Sequence, residues 1–443
     1  MSNPCRFVFT SCVWGKTYTQ WFMQVGLPSH LAPGNLGLFG QSHTLQGEYH
    51  IFTTTNDAAV IKMCPAFRQL ANMVQPYIHP IDNLIARYEA EAISKYDVMS
   101  LCHAHSVQRA AQIGAGLVVL APDLVLADGG MQTLLDLASS GKKLVLTGSL
   151  RVIGESFIRE IHPCADKGHD VSLPLHAREL VELVFKHWHP FNQTYLWNSE
   201  FFNRRWPAFL FWSVPNEGLV QRGIHLHPLL SFPTTGQQYR WSKDLGIDGL
   251  DYMIRVCPDQ DDLHVIGDSD HVYYVNLDPQ WNDALPRHKA SALDIARWVI
   301  RQTCDHHRWS MTQPIRHHMG ACSSAWLSVE KESESAIHTI LKYVEVFEQH
   351  ADLLQELEGR FAEQEGKIRE LIGKCAFLVQ DGARLRNLLG VEYYKAGRLP
   401  EAKTFWETAL RMDPSCVDAQ ENLSVLDQSS KSMASTPPSL SHH

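Results

Sequence analysis

The residues best suited to chemistry are aspartates that directly follow apolar segments. The stretch GAGLVVLAPDLVLADGG places Asp123 after one apolar run and Asp128 after the next. A second pair, Asp268 and Asp270, follows the apolar segment 263–266. Carboxylates at the ends of buried strands can bind a divalent cation or take a proton from a substrate hydroxyl. For Asp128 the competing interpretation is a cap on the helix that follows.

Two histidines, His225 and His227, lie two residues apart in the segment VQRGIHLHPLL. On a strand over 222–229 both imidazoles point to one face, while Ile224 and Leu226 pack into the other. Two roles stay open for this pair: ligands of a metal ion, and hydrogen-bonded side chains that line a cleft. The other paired histidines do not lie in a comparable apolar strand pattern and are expected to be ordinary loop or helix residues. They are His187/His189, His306/His307 and His317/His318.

These residues need a scaffold, and residues 1–325 alternate short apolar segments with helical ones. The predicted strands include 6–10, 49–54, 117–121, 143–147, 208–213 and 263–266. Such alternation is typical of an α/β domain with a mainly parallel sheet and helices on both faces. Because ligands bind beyond the carboxyl ends of parallel strands, we expect a crevice around 10–14, 53–56 and 122–128.

The nucleotide-binding motifs with the clearest sequence signatures do not occur at these strand ends. Neither G-x-G-x-x-G nor G-x-x-x-x-G-K-[ST] is present there, which argues against a dinucleotide site or a P-loop. The stretch HSVQRAAQIGAGLVVLAPDLVLADGG instead resembles the GT-A-type glycosyltransferases in its order and position. In that family a helix of the form A-x-x-x-G-A leads into a strand that ends in an acidic D-x-D metal-binding motif. Here Ala121-Pro122-Asp123 stands at the motif, so a single aspartate is present.

The resemblance implies a GT-A-like sheet, a nucleotide-diphospho sugar as donor, and a glycan or a protein as acceptor. On the helix before the motif strand, His105 and Arg109 share a face, and Arg109 is expected to neutralise the diphosphate. The implied metal is a divalent ion, manganese or magnesium, held by Asp123 with His225 and His227. The incomplete motif leaves the need for that metal open. The residues expected to contact the donor are Thr10, Trp14, Thr53, His103, Ser106, Arg109 and Asp123.

Three later aspartates, Asp248, Asp268 and Asp270, are the expected catalytic residues. They would act as a general base for the acceptor hydroxyl or as hydrogen-bonding partners of the sugar. Asp268-Ser269-Asp270 is also a literal D-x-D and therefore the alternative metal motif. The expected function is transfer of a sugar to an unknown acceptor; the alternative is a non-catalytic scaffold or sugar-nucleotide-binding protein on the same fold.

Composition narrows the class of protein further. The 39 Lys+Arg against 48 Asp+Glu give a net charge of −9, which disfavours binding to nucleic acid. No apolar run is long enough to span a bilayer, and the N-terminus lacks a signal-peptide pattern. Ten cysteines without any C-x-x-C argue against a zinc knuckle and against a secreted disulfide framework. We therefore expect a cytoplasmic protein with no nucleic-acid partner and no transmembrane segment.

Residues 328–380 lose the prolines and tryptophans and show a seven-residue apolar period, with one row running from Ile340 to Cys375. This period predicts a long amphipathic helix or a helical hairpin. Two interpretations stay open for it: a helix that packs on its own domain, and a coiled coil that forms a homodimer.

Residues 383–427 resemble a tetratricopeptide (TPR) helical pair. The residues that match the spacing of the family are Leu389, Gly390, Tyr393, Gly397, Ala402, Trp406, Ala409 and Pro414. Small residues would let two antiparallel helices approach, and Pro414 would end the second helix. The resemblance implies binding of a protein partner. The Ser- and Pro-rich tail, 428–443, is expected to be disordered.

Overall fold

The computed structural model describes residues 5–91, 94–161, 171–235, 246–247, 250–281, 283–285 and 287–434. The strands are β1 (Cys5–Cys12), β2 (Leu45–Thr53), β3 (Gln75–Pro80), β4 (Gly116–Val119), β5 (Leu124–Leu126), β6 (Leu144–Thr147), β7 (Leu150–Ile153), β8 (Phe209–Val214), β9 (Gly218–Gly223), β10 (His227–Ser231), β11 (Leu263–Val265), β12 (Tyr274–Asp278) and β13 (Pro314–His318). The α-helices are α1 (Lys16–Trp21), α2 (Leu27–His30), α3 (Gly37–Gln41), α4 (Thr55–Met63), α5 (Pro65–Leu70), α6 (Asp82–Glu91), α7 (Lys95–Ile113), α8 (Gly130–Ser139), α9 (Gly154–Ile161), α10 (Ala177–Lys186), α11 (Leu250–Val256), α12 (Ala292–Gln302), α13 (Asp305–Thr312), α14 (Ser324–Gln349), α15 (Ala351–Lys395), α16 (Leu399–Met412) and α17 (Val417–Ala434).

The largest sheet has seven strands in the order β3-β2-β1-β4-β10-β6-β11. Only β10 is antiparallel to its neighbours, β4 and β6. Two smaller sheets have the orders β5-β12-β7 and β13-β9-β8. The predicted fold class, α/β with a mainly parallel sheet and a helical C-terminal region, is confirmed.

The central strand β1 shows why the sheet lies between two layers of side chains. Phe7 and Phe9 pack into one hydrophobic core, whereas Val8 packs into another on the opposite face. A strand that is buried on both faces reads as a continuous apolar run, which is how this segment appears in the sequence. The polar side chains of β1 therefore lie near its two ends, at Arg6, Thr10 and Ser11.

Helix α7 covers one of these faces, and local signals determine where it begins and ends. The Ser94 hydroxyl accepts a hydrogen bond from the backbone N–H of Asp97, whose carboxylate accepts from the backbone N–H of Ser94. This reciprocal capping box satisfies two backbone donors of the first turn. Gly114 ends the helix with φ of 62°, a left-handed conformation that glycine adopts without steric cost.

The chain divides into two compact units, and the boundary along the sequence falls between Gln349 and His350. In the first unit α14 buries Trp326, Ile337, Ile340 and Val344 in a core that β8 and β9 share. Residues 328–349 of the predicted heptad segment thus belong to the first unit, and α14 contributes to its core.

The second unit is built from α15, α16 and α17. Trp406 of α16 fills the space beside Gly390 of α15, and its indole N–H donates to the carbonyl oxygen of Asn387 at 3.1 Å. The large apolar side chains that α15 exposes include Phe361, Ile368, Leu371, Ile372, Phe377 and Leu378. The homodimer stays a prediction. Among the described residues, no helix combines the length and the apolarity needed to cross a membrane.

The role of α14 can be tested with two fragments. We expect 1–349 to unfold cooperatively and 1–325 to be insoluble or unfolded, because 1–325 lacks the four buried side chains of α14. Removing one such side chain costs about 2–5 kcal/mol, and a whole domain is stable by only about 5–15 kcal/mol. Circular dichroism and size-exclusion chromatography distinguish the two results. Equal melting temperatures for the fragments would contradict the assignment of α14 to the front core.

Two glycines of α15 form a matched pair for testing the second unit. A Cβ on Gly390 would lie 2.4 Å from the Trp406 indole nitrogen, whereas a Cβ on Gly373 would meet nothing within 4 Å. We expect Gly390→Ala to destabilise the unit by about 1–3 kcal/mol through overpacking. Gly373→Ala should stabilise it by up to about 1 kcal/mol through helix propensity. Thermal melts of the full chain measure both, and the same sign for the two variants would refute this packing.

Candidate functional site

The site lies at the edge of the large sheet where the parallel strands end. The strand order runs away from β1 in both directions, with β2 on one side and β4 on the other. Such a reversal leaves a crevice beyond the carboxyl ends of the two central strands, where open α/β sheets bind ligands. β6 and β11 end at the same edge, and antiparallel β10 begins there.

A cleft of about 220 Å³ opens at this edge. Asp123, which follows β4, lines it together with His225 and His227. Its volume is below the range of roughly 300–1,000 Å³ that is typical of pockets for drug-sized ligands. The cleft therefore suits one small polar ring better than a complete nucleotide sugar. The other lining residues are Ala121, Leu124, Thr147, Ser149, Arg151, Asn192, Tyr195, Phe209, Phe211, Leu226, Tyr274 and Asn276.

The Asp123 carboxyl is held in an environment that opposes its ionisation. Burial is the main cause and the negative charge of Asp278 adds to it, while Arg151 and Lys95 oppose the shift; together they raise the pKa of Asp123 to about 6. The backbone is held in place because the N–H of Leu277 donates to the carbonyl oxygen of Asp123 at 2.9 Å. A carboxyl with this pKa can gain or lose a proton near neutral pH.

Arg151 and Asp278 are functional candidates that the sequence analysis missed. The Arg151 guanidinium donates to the Asp278 carboxylate and lies 5.1 Å from the centre of the Phe191 ring. Asn276, two residues before Asp278, accepts a hydrogen bond from the Ser149 hydroxyl at 2.7 Å. The strands β7 and β12 pair with each other and bring these side chains together. The one signal in the sequence was the run YYVNLDP, in which Asn276 and Asp278 alternate with apolar residues as on a strand.

The single strand predicted over 222–229 is wrong. β9 ends at Gly223 and pairs with β8 and β13, whereas β10 begins at His227 and pairs with β4 and β6. His225 therefore lies in the connection between two sheets. Ile224 and Leu226 are nevertheless buried as the alternation requires.

Both imidazoles form hydrogen bonds with backbone carbonyl groups. His225 Nε2 lies 3.0 Å from the carbonyl oxygen of Gln302, and His227 Nε2 lies 3.0 Å from that of Val119. A carbonyl oxygen only accepts, so Nε2 carries the hydrogen in both rings. This bonding corresponds to the second of the two interpretations, hydrogen-bonded histidines that line a cleft. The metal role of Asp123, His225 and His227 stays a prediction.

Within the described ranges, two groups of three side chains place potential ligand atoms within 4.8 Å of one another. One group joins the literal D-x-D residues Asp268 and Asp270 to His318; the other consists of three histidines. His318, expected to be an ordinary residue, lies close to these aspartates because Asp268 pairs with Arg316 in the middle of β13, two residues before His318. No signal in the sequence links the aspartates to a histidine so far along the chain.

The donor set of the first group fits a hard divalent ion such as manganese. Its members already bond to protein groups: His318 Nε2 lies 2.8 Å from Asp268, and Arg178 forms a bidentate pair with Asp270. Asp268 and Asp270 precede β12, whereas the carbonyl oxygen of Asp123 accepts a hydrogen bond from Leu277 near the end of that strand.

The residues predicted to contact the donor are not all at the cleft. Thr10 and Ser106 are fully buried, and the Ser106 hydroxyl donates to Thr10 at 2.9 Å, which joins α7 to β1. Trp14 packs against a small core beside α7, and His103 on that helix is buried. Thr53 ends β2 with a buried hydroxyl that bonds to no described residue.

Arg109, expected to neutralise a diphosphate, donates instead to Glu48 from two nitrogens at 2.8 and 2.5 Å. Asp248 lies outside the described residues. The capping role expected for Asp128 is wrong. The N-cap of α8 is Gly129 with no side-chain cap, and the Asp128 carboxylate accepts from the backbone N–H of Gly34 at 2.6 Å.

Comparisons with known proteins give little information about the function of this chain. No family model matches the chain, and no curated protein matches it. Among solved structures, the apo form of mouse xyloside xylosyltransferase 1 aligns over 37% of this chain with 14% identity and a TM-score of 0.24. The alignment spans 59% of that enzyme, less than two thirds of its length. A TM-score this low does not establish a shared overall fold, so function has to be inferred from the site.

The raised pKa of Asp123 predicts a measurable effect on stability. Above about pH 6 the carboxylate is ionised in both the folded and the unfolded chain, and only the folded chain pays for its burial. Asp123→Asn should therefore raise the free energy of unfolding at pH 8, on the order of 1 kcal/mol.

The gain should shrink as the pH falls through 6 and vanish below about 3.8, where both states bind the proton. Denaturant titrations at several pH values measure it. A variant less stable than wild type at pH 8 would show that the ionised carboxylate makes stabilising contacts.

Proposed function

We propose that this protein is a glycosyltransferase that uses a nucleotide-diphospho sugar and passes its sugar to a hydroxyl of a glycan or a protein. The observation that carries the proposal is the cleft at the sheet edge, where Asp123 with its raised pKa lies near Arg151 and two histidines. A small polar cleft with one proton-accepting carboxyl is suited to holding a sugar and activating a hydroxyl.

The chemistry assigned to the cleft is a displacement at the anomeric carbon of the donor. Asp123 accepts the proton of the acceptor hydroxyl, the acceptor oxygen bonds to the sugar carbon, and the bond from that carbon to the diphosphate oxygen breaks. A base with a pKa near the working pH is efficient in this role. Arg151 and Lys95 lie close enough to act on the charge of Asp123, and they supply positive charge for the departing diphosphate.

The proposal includes a divalent ion, which would be held by Asp268, Asp270 and His318. When bound, such an ion neutralises negative charge on a phosphate. In the alternative assignment Asp268 and Asp270 act as the catalytic residues, at this group and not at the cleft that Asp123 lines.

The second unit is assigned a role in recognition. Its helical pair α15 and α16 closes around Trp406 and leaves apolar side chains of α15 exposed, including Phe361 and Ile368. We assign it to a protein partner, a protein acceptor or a second copy of the chain. All nine cysteines that the structure describes are free thiols, which supports a reducing compartment such as the cytoplasm.

One observation favours a second candidate, a non-catalytic scaffold that binds a sugar nucleotide. Arg109, Arg151 and Arg178 each pair with a carboxylate of the chain, so a diphosphate would have to compete for these guanidinium groups. With a single aspartate at the motif, such a protein would bind its ligand without turning it over.

Donor hydrolysis tests the proposal. The protein is incubated with UDP-, GDP- and CMP-sugars, with and without manganese, and release of the nucleotide is followed. We expect release from one donor class, reduced about 100-fold or more by Asp123→Asn, the range for loss of a general base. The matched control is Asp305→Asn, because the Asp305 side chain is 94% exposed and should not affect the rate.

Three other results of these experiments would each lead to a different conclusion. Loss of turnover in Asp268→Asn with a normal Asp123→Asn would move the site to the later D-x-D. Donor binding by calorimetry without release by the wild type would establish the scaffold. Neither binding nor release of any donor would refute the glycosyltransferase proposal.

A further inference from the structure

Three imidazoles from three separate elements meet between the sheet and α7. His50 comes from β2, His79 from β3 and His105 from α7, and a ring nitrogen of each lies within 4.8 Å of the others. The ring centres of His79 and His105 are 4.9 Å apart, and His50 Nδ1 lies 2.9 Å from His79 Nε2. No part of the proposed glycosyl transfer uses these side chains.

The neighbours of His50 hold its ring in one tautomer. Glu48 accepts a hydrogen bond from His50 Nε2 at 3.0 Å, so the hydrogen is on Nε2 and the lone pair on Nδ1 points toward His79. Glu48 is itself held by the bidentate Arg109. A histidine that presents one nitrogen to a cation while the other donates to a carboxylate is the usual arrangement around a protein-bound metal.

The spacing is close to what a metal ion requires. Two nitrogens bound to zinc at about 2.0–2.1 Å with tetrahedral angles lie about 3.3 Å apart. The His50–His79 pair has to open by only about 0.4 Å to reach that value from 2.9 Å. On binding, His79 would move the hydrogen from Nε2 to Nδ1, because a coordinating nitrogen must present its lone pair.

We propose that His50, His79 and His105 form a binding site for a divalent metal ion of the zinc type, with Glu48 as its supporting carboxylate. Three neutral imidazoles favour zinc, cobalt or nickel over magnesium and calcium, which prefer oxygen ligands. His50 is buried, His79 is partly buried and His105 is exposed, so the ion can enter from the His105 side. Three protein ligands leave a fourth position for water or a substrate atom, as in catalytic zinc sites.

The electrostatic balance permits a cation here. Arg109 lies beside the cluster, but its charge is offset by Glu48 in the bidentate pair. Burial lowers the pKa of His50 and His79, which keeps these rings in the neutral form that binds metal.

The experiment titrates the metal-free full-length chain with Co²⁺, followed by visible absorption, and with Zn²⁺, followed by calorimetry. We expect His105→Ala to lose one equivalent of tight binding compared with wild type. This variant should fold, because His105 is exposed on a helix and alanine has the highest helix propensity. Glu48→Gln keeps all three imidazoles and should weaken the same equivalent about 10- to 100-fold.

Two control variants identify the site. His43→Ala removes an exposed histidine outside the cluster and should bind as wild type does. Asp268→Asn disrupts the other potential metal group and should leave this equivalent intact. The proposal is overturned if His105→Ala keeps the stoichiometry and affinity of wild type, or if the equivalent disappears in Asp268→Asn and not in His105→Ala. None of these outcomes depends on whether the protein turns over a sugar donor.

Discussion

The central strands of the large sheet are buried on both faces, and the arrangement of the cleft depends on that constraint. Phe7 and Phe9 fill one core while Val8 fills another, so β1 has no free face for a polar side chain. On this strand polar groups can reach a ligand only near its ends. Asp123 after β4 and Asp268 after β11 accordingly lie along one edge, and the reversal of strand order beside β1 opens the crevice there.

The same burial determines the electrostatics of the cleft. The pKa of Asp123 rises mainly because its half-buried carboxyl is partly withdrawn from water, and the second carboxylate, Asp278, reinforces the rise. Asp278 itself forms an ion pair with Arg151, while the neighbouring Asp123 can exchange its proton near neutral pH. Such a division of roles between two carboxyl groups is common in sites of acid–base chemistry.

In two polar clusters of the first unit, hydrogen bonds connect side chains from separate helices and strands. Glu48 connects the three-histidine cluster to Arg109, and Asp270 connects the D-x-D group to Arg178. Each guanidinium holds a carboxylate that in turn faces histidines. This repeated arrangement means that a bound anion would compete with carboxylates of the chain, whereas a bound cation would be reinforced by them.

Much of the scaffold could be predicted from the sequence because it depends on local signals. Apolar runs predicted the strands, and Gly114 ends α7. Asp123 lies in the short connection between β4 and β5, so its place beyond the end of a strand could be predicted without knowing any partner. The pairings between distant segments could not be predicted. Asp278 meets Arg151, His318 meets Asp268, and His105 meets two strands, because the order of strands brings them together. Sequence periodicity specifies which face of an element is apolar, whereas only the tertiary packing decides which elements become neighbours.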